Sequence, residues 1–223
     1  MFRRPHHRLV ARVLEAMNAD FLRHTKCYFG GGTAIALLLD EYRESVDIDF
    51  LCADQDGYRM LRGSVFNRGL DELFVTDVEA LREVRADRDG IRTVLALEGT
   101  PIKFEIVREA RIELEGADVA EIPVPCLTRV DLFAEKLLAN ADRFGDRSAM
   151  SRDVIDLMMM QMNWGPIPDR AWEKACGAYG DSVRGALRKA RALLSSDPGY
   201  FDVCVSKLGI AEGRADQLRK ALL

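Results

Sequence analysis

The sequence of 223 residues lacks the marks of a membrane protein, a secreted protein or a zinc finger. No apolar run approaches the roughly 20 residues that a membrane-spanning helix needs, and the amino terminus has no continuous apolar block typical of a signal peptide. The five cysteines are odd in number, scattered, and never in Cys-x-x-Cys spacing, which argues against a disulfide framework and a zinc site. We therefore expect a cytoplasmic protein with reduced cysteines and no membrane partner.

An excess of basic residues is also lacking. The formal charge of −4 does not indicate a nucleic-acid-binding protein, because affinity for a phosphate backbone comes from clustered lysine and arginine. Arginines are nevertheless frequent between Arg143 and Arg191, so a basic face opposite an acidic one is an alternative that the sequence allows. Hydrophobic residues make up 48% of the chain, enough for a core in one large or two small domains.

The most informative stretch runs from Phe29 to Leu51 and reads FGGGTAIALLLDEYRESVDIDFL. Its second half predicts a strand from Val46 to Cys52 with Asp47 and Asp49 on one face. The apolar residues of the opposite face are Val46, Ile48 and Phe50. Two carboxylates held side by side repel each other and are usually reconciled by a hard cation such as Mg²⁺. A solvated strand edge is the alternative interpretation.

The first half of this stretch predicts a glycine turn that leads into a helix. Gly30, Gly31 and Gly32 allow the backbone to approach a ligand closely. A helix from Thr33 to about Tyr42 would present free amides to a phosphate. A tight turn without a ligand is the alternative, so neither half is specific by itself.

A strand pair further along the chain offers another acid. The alternation from Ile91 to Val107, interrupted around Gly99 by turn residues, predicts a β-hairpin. Glu105 is the only acid centred in a convincing strand after Asp49. Its alternative interpretation is a solvent-facing residue paired with Lys103.

Beyond residue 126 the composition becomes helical. Leu127 to Phe144 predicts a helix that places Lys136 on a polar stripe, and Ser151 can cap a following helix whose first turn holds Asp153. A solvated lysine and a partner of the helix dipole are the alternative interpretations of Lys136 and Asp153.

Together these segments resemble the nucleotidyltransferase signature of the DNA polymerase β superfamily, in the form of the AbiEii/AbiGii-type toxin nucleotidyltransferases. The resemblance rests on GGGTAIALLL followed by RESVDIDF, and on a helical lysine followed by an R-D-x-x-D-L segment. It implies a mixed α/β (α+β) fold, a nucleotidyltransferase-like mixed sheet flanked by helices. We expect an α/β domain at 1–126 with an N-terminal helix, and a helical domain at 127–223 that contributes to the active site.

The resemblance also assigns roles to residues. The expected catalytic residues are Asp47, Asp49, Glu105, Lys136 and Asp153. The expected ligands of two Mg²⁺ ions are Asp47, Asp49 and Glu105. The residues expected to bind the nucleotide are Gly31, Gly32, Thr33, Arg43, Ser45 and Lys136. Ser45 is expected to be a structural hydrogen-bonding residue rather than a nucleophile, because no histidine or lysine base stands beside it in sequence.

The implied reaction is attack by an acceptor hydroxyl on the α-phosphate of a nucleoside triphosphate, such as ATP or GTP, with release of pyrophosphate. The resemblance further implies a toxin of a bacterial toxin–antitoxin pair, with an antitoxin protein as partner and an RNA, such as tRNA, as acceptor. Three alternatives stay open: transfer to a protein or small molecule, a nucleotide-binding module without turnover, and a structural α/β domain with an accidental acid pair.

Overall fold

The computed structural model describes residues 2–222, which contain ten α-helices, a short 3-10 helix and eight β-strands. The α-helices are α1 (Pro5–Glu15), α2 (Ala19–His24), α3 (Gly31–Leu38), α4 (Gln55–Arg68), α5 (Arg129–Arg143), α6 (Arg152–Trp164), α7 (Asp169–Tyr179), α8 (Ser182–Ser196), α9 (Pro198–Lys207) and α10 (Glu212–Leu222). The 3-10 helix is Arg147–Ala149. The strands are β1 (Cys27–Phe29), β2 (Ile48–Cys52), β3 (Glu79–Ala80), β4 (Arg85–Ala86), β5 (Gly90–Leu97), β6 (Thr100–Arg108), β7 (Gly116–Val119) and β8 (Ile122–Leu127).

The chain divides into two compact units. The sheet unit contains the residues up to Ala34 together with Val46–Thr128, and the helical unit contains Ile35–Ser45 together with the residues from Arg129 onward. The boundary passes through α3, where the sequence shows no break because one apolar helix continues across it. The division into domains at residue 126 stays a prediction.

The sheet is mixed, with the strand order β3-β5-β6-β2-β1-β8-β7 and with β4 paired to β5. Strand β1 pairs antiparallel with β2 and parallel with β8, while β2 pairs parallel with β6. This mixed sheet with its accompanying helices confirms the expected fold class. No helix among residues 2–222 combines the length and the apolar character needed to cross a membrane.

The β5–β6 hairpin is confirmed, and its turn explains why the strands reverse there. Leu97 pairs with Thr100, so only two residues form the loop. Both of them, Glu98 and Gly99, have positive φ values of 52° and 74°. Two positive φ values are typical of a type I′ turn, whose twist matches that of the flanking strands.

The buried face of the sheet is aromatic, and it determines which way β2 is turned. The ring centroids of Phe29 and Phe50 lie 5.4 Å apart, and those of Phe50 and Phe104 lie 6.1 Å apart. Ile48 and Phe50 are fully buried, whereas Val46 is 43% exposed. The predicted strand was therefore two residues too long, and Val46 does not belong to the apolar face.

The helical unit packs around α5, which contacts α6, α7 and α8. Its apolar stripe of Phe133, Leu137 and Leu138 is at most 1% exposed. Burial of this stripe stabilises the helix more than intrinsic propensity does. The predicted helix from Leu127 to Phe144 is confirmed with shorter bounds, because Leu127 closes β8.

Candidate active site

Strand β2 positions the acid pair in the sheet unit. Asp49 lies within β2, Asp47 immediately precedes it, and both are partly exposed. Asp49 pairs in register with Glu105 of β6. Because residues paired across adjacent strands point to the same face, Asp49 and Glu105 share one face of the sheet.

Glu105 is held by two cations. Nε of Arg92 lies 2.5 Å from Oε1 of Glu105, and Nζ of Lys103 lies 2.8 Å from Oε2. Burial acts to raise the pKa of Glu105, but the hydrogen bonds from Lys103 and Arg92 outweigh it and leave the pKa lowered. The contact with Lys103 agrees with the alternative interpretation of Glu105, and a role as the third metal ligand stays a prediction.

Lys103, which the sequence suggests only as a partner of Glu105, is a further member of this face. Its pKa is raised chiefly by the hydrogen bond to Glu105, and the charges of Asp49 and Asp47 raise it further. Its side chain is 52% exposed, so solvent screens these charges in part. The alternation of Lys103 with Glu105 is visible in the sequence, but the pairing of β6 with β2 is not.

Gly31 brings the first turn of α3 against the carboxylate of Asp49. Its φ of +68° is unfavourable for residues with a side chain, and an ideal Cβ there would lie 2.6 Å from Oδ2 of Asp49. The helix predicted from Thr33 to about Tyr42 is α3, which begins at Gly31 and ends at Leu38. The glycine turn and the acid pair form one local arrangement, in which Gly32 occupies the first helical turn.

Thr33 connects the two halves of this arrangement. Its side chain is fully buried, and its hydroxyl donates to the backbone carbonyl of Asp47 at 2.5 Å. A second connection is made by the amide of Gly30, which donates to the carbonyl of Asp49 at 2.9 Å. These bonds hold the glycine turn against the acid-bearing strand.

The donor set on this face suits a hard divalent cation. Mg²⁺ commonly takes one or two carboxylates and completes its shell with water and substrate phosphates. Across residues 2–222, no group of three or more His, Cys, Asp or Glu side chains is arranged to hold a metal ion. Asp47 and Asp49 would supply two carboxylates to such an ion.

The helical unit holds a second set of charged residues, centred on Asp156. Arg43 donates from Nε and Nη2 to the two carboxylate oxygens of Asp156, at 2.6 and 2.9 Å. The hydroxyl of Tyr42 also donates to Asp156, and Nζ of Lys136 lies 2.8 Å from it. Asp156 is fully buried.

Asp153 completes this buried network. Lys136 donates to it at 2.9 Å, and Arg143 donates from Nε and Nη2 at 2.6 and 2.9 Å. Burial acts to raise the pKa of Asp153, but the charges of Lys136 and Arg143 outweigh it and lower the pKa well below the usual range. The opposite balance raises the pKa of Lys136, where Asp156 and Asp153 outweigh burial.

Three cations and two carboxylates form the ion pairs of the network, and the charge of Asp142 also acts on Arg143. Its cations are Arg43, Lys136 and Arg143, and its carboxylates are Asp153 and Asp156. On α5, Asn140 lies four residues after Lys136 and three before Arg143, and is 1% exposed. Its Nδ2 has no hydrogen-bond partner among the described residues. An unsatisfied buried donor on the same helix as Lys136 and Arg143 favours a ligand with an acceptor oxygen.

The predicted site residues thus fall into two groups. Gly31, Gly32, Thr33, Asp47, Asp49 and Glu105 lie in the sheet unit, and Arg43, Ser45, Lys136 and Asp153 lie in the helical unit. The site predicted from the sequence did not include Lys103 and Arg92 in the first group, or Tyr42, Asn140, Arg143 and Asp156 in the second. The assignment of both groups to one catalytic site stays a prediction.

Solved structures show which class of protein has this fold. An antigenic nucleotidyltransferase-like protein from Paracoccidioides brasiliensis is 16% identical, with 91% of this chain and 94% of that chain covered and a TM-score of 0.51. JHP933 from Helicobacter pylori is 14% identical, with 89% of this chain and 99% of that chain covered and a TM-score of 0.38. The first likeness confirms a nucleotidyltransferase-like fold.

The particular family follows from the sequence. Residues 12–208 match the family described as "Nucleotidyl transferase AbiEii toxin, Type IV TA system", and the chain therefore belongs to that family. A comparison with curated proteins found no match. The expected enzyme class, a nucleotidyltransferase, and the expected link to a toxin–antitoxin system are confirmed at the level of the family.

Proposed function

We propose that this protein transfers a nucleotide from a nucleoside triphosphate to a hydroxyl group of an RNA acceptor, with tRNA as the acceptor that the family resemblance implies. The observation that carries the proposal is the contact between the first turn of α3 and the carboxylate of Asp49. Phosphate-binding amides and metal-binding oxygens are needed side by side for this chemistry. Nucleoside triphosphates and tRNA are cytoplasmic molecules, so the proposal places the reaction in the cytoplasm.

Each residue of the sheet unit has a role in this proposal. Asp47 and Asp49 would hold Mg²⁺, and Glu105 would join them as a third ligand by loosening its bonds to Arg92 and Lys103. When bound, the ion supplies charge stabilisation at the reacting phosphate and activates the acceptor hydroxyl. The backbone of Gly31, Gly32 and Thr33 would bind the phosphates at the positive end of the α3 dipole.

The helical unit would bind the negative charge of the substrate. The three cations of its network and the unsatisfied amide of Asn140 support this role. Lys136 is the proposed phosphate-binding lysine, and Asp153 orients its ammonium group. Arg43 would act on Lys136 through Asp156, because its Nε and Nη2 donate to Asp156 while its Nη1 donates to the carbonyl of Glu44. Ser45 would support this segment, and family membership supports a cognate antitoxin as partner.

The decisive experiment is incubation of the protein with Mg²⁺, a cell extract and each of the four labelled ribonucleoside triphosphates, followed by separation of RNA and protein. We expect label in RNA from one triphosphate. Asp49→Ala should reduce labelling by more than about 100-fold, since loss of even an outer-shell metal partner typically costs about 10- to 100-fold.

The matched control is Asp77→Ala, which removes an exposed acid of the same unit and should leave labelling unchanged. Label in protein alone would replace RNA as the acceptor. Nucleotide binding without any labelled product would favour a binding module without turnover. Labelling that survives removal of divalent ions would contradict the proposed need for Mg²⁺.

A further inference from the structure

The sheet unit has a pocket of about 180 Å³ lined chiefly by arginines. The lining residues are Gln55, Tyr58, Arg59, Arg62, Arg88 and Arg108. They come from α4, from the loop between β4 and β5, and from the end of β6. We propose that this basic pocket binds a backbone phosphate of the RNA acceptor, an inference that rests on the proposed function.

Two of the four arginines lack a carboxylate partner. Arg59 pairs with Asp56 at 2.9 Å and Arg88 with Asp89 at 3.3 Å, both on exposed surface. Arg62 and Arg108 make no side-chain hydrogen bond or ion pair with any residue in the described part of the chain. Their donors are therefore available to an oxyanion.

The wall of the basic pocket is well ordered by burial and hydrogen bonding. Tyr58 is 4% exposed, and its hydroxyl donates to the carbonyl of Asp87 at 2.8 Å. Burial raises the pKa of Tyr58 to about 12 despite the nearby charges of Arg62 and Arg108. A neutral, fixed phenol leaves the guanidinium groups as the charged groups that an incoming anion meets.

Phosphate is the anion that this arrangement suits best. A guanidinium group is planar, permanently charged and able to donate two parallel hydrogen bonds to phosphate oxygens. A phosphodiester has oxygens enough for both Arg62 and Arg108. Guanidinium contacts to phosphate oxygens position the backbone without selecting a sequence, and this is the kind of contact that we expect here.

The register of the sheet separates the basic pocket from the acid pair. Arg108 pairs with Cys52, three residues beyond the Asp49–Glu105 pair. Three residues of strand correspond to about 10 Å, and their alternation places Arg108 on the opposite face from Asp49. A triphosphate held at Asp49 does not account for the pocket, whereas a polynucleotide carries phosphates at regular intervals and can reach both.

The test is the binding of a fluorescently labelled single-stranded RNA to the full chain, followed by anisotropy at several salt concentrations. The variant is the double substitution Arg62→Gln and Arg108→Gln. The matched control is Arg68→Gln with Arg82→Gln, because both are exposed arginines of the same unit that do not line the pocket.

We expect the pocket variant to bind RNA at least about tenfold more weakly at 0.1 M salt. Loss of two phosphate contacts should also reduce the slope of log K against log salt by about 1.4, since each contact to a single strand contributes about 0.7. The control should stay within about threefold of the wild type. Urea unfolding of both variants checks that each one is folded.

Equal weakening of RNA binding in the two double variants would contradict the proposed RNA-binding role of the pocket. Absence of RNA binding by the wild type would contradict it as well. Displacement of the RNA by free ATP or inorganic phosphate at equal phosphate concentration would assign the pocket to a small anion instead. The two proposals fail separately. Labelled RNA together with equal RNA binding by the pocket variant and its control removes the pocket alone, whereas pocket-dependent RNA binding without labelled product removes the transfer alone.

Discussion

The two units of this protein place their carboxylates in opposite environments, one partly exposed and the other buried among cations. In the sheet unit, Asp47 and Asp49 are partly exposed, with Asp49 in β2 against the start of α3 and Asp47 immediately before that strand. In the helical unit, Asp153 and Asp156 are at most 3% exposed and are surrounded by cations and a tyrosine hydroxyl. The acids of the first unit are held beside the helix terminus, while those of the second are neutralised by protein.

This difference indicates where each kind of substitution should act. A carboxylate positioned for a ligand contributes to chemistry, and its removal should leave most of the stability intact. A buried carboxylate bound by several cations cannot be removed without leaving those cations uncompensated, which costs stability. Activity and stability should therefore respond in opposite order in the two units.

The largest effect on stability is expected for Asp156→Asn. The substitution leaves Arg43 and Lys136 buried without their shared anion, and breaking a buried pair in this way costs about 3–5 kcal/mol. Urea unfolding measures the loss. The control is Asp216→Asn, an acid with a side chain that is 56% exposed, whose pair with Arg219 should contribute less than about 1 kcal/mol. Equal losses of unfolding free energy in the two variants would contradict the distinction between buried and exposed carboxylates.

Gly31→Ala should act mainly on activity. Its Cβ would displace the Asp49 carboxylate, and a misplacement of about 1 Å in a site can cost on the order of 100-fold in rate. Gly99→Ala is the matched control, because Gly99 has a φ of +74° but open space around its Cβ position. Both variants should lose about 1–2 kcal/mol of stability from the positive φ. Full activity in Gly31→Ala would show that the Asp49 contact is dispensable.

Acid should destabilise the protein through the buried network. The folded-state pKa values of Asp153 and Asp156 are lowered, so their contribution is fully present above the unfolded value, near pH 4, and is lost as pH falls through the folded values. We expect wild-type stability, measured by urea unfolding from pH 5 down to pH 2, to fall more steeply than that of Asp156→Asn. Parallel curves for the two proteins would assign acid sensitivity to other groups.

Much of the candidate site was predictable because its signals are local. Positive φ at Gly31 and Gly99 favours glycine, and the alternation around Asp49 and Glu105 predicts which face each side chain occupies. Strand and helix ends were less accurate. Val46 was expected in β2 although it lies outside the strand, since local alternation does not show where pairing with β6 begins.

The partners of the charged side chains were not predictable in the same way. Arg43 and Asp156 are 113 residues apart in sequence, and Lys174 pairs with Asp131 across 43 residues at 2.5 Å. Nothing in a local pattern distinguishes these cations from solvated ones. Burial makes the pairing energetically necessary, and burial is a property of the packed unit.

By itself, the sequence determined the glycine turn, the acid-bearing strand, the hairpin and the family, because each depends on residue types at short, regular spacing. Only the tertiary structure decided that Gly31 touches Asp49, that Lys103 and Arg92 hold Glu105, and that Lys136 is shared by two aspartates. The physical reason is the sequence separation over which each interaction acts. Backbone preferences act over a few residues, whereas electrostatic compensation in a buried site depends on whichever side chains the fold brings together.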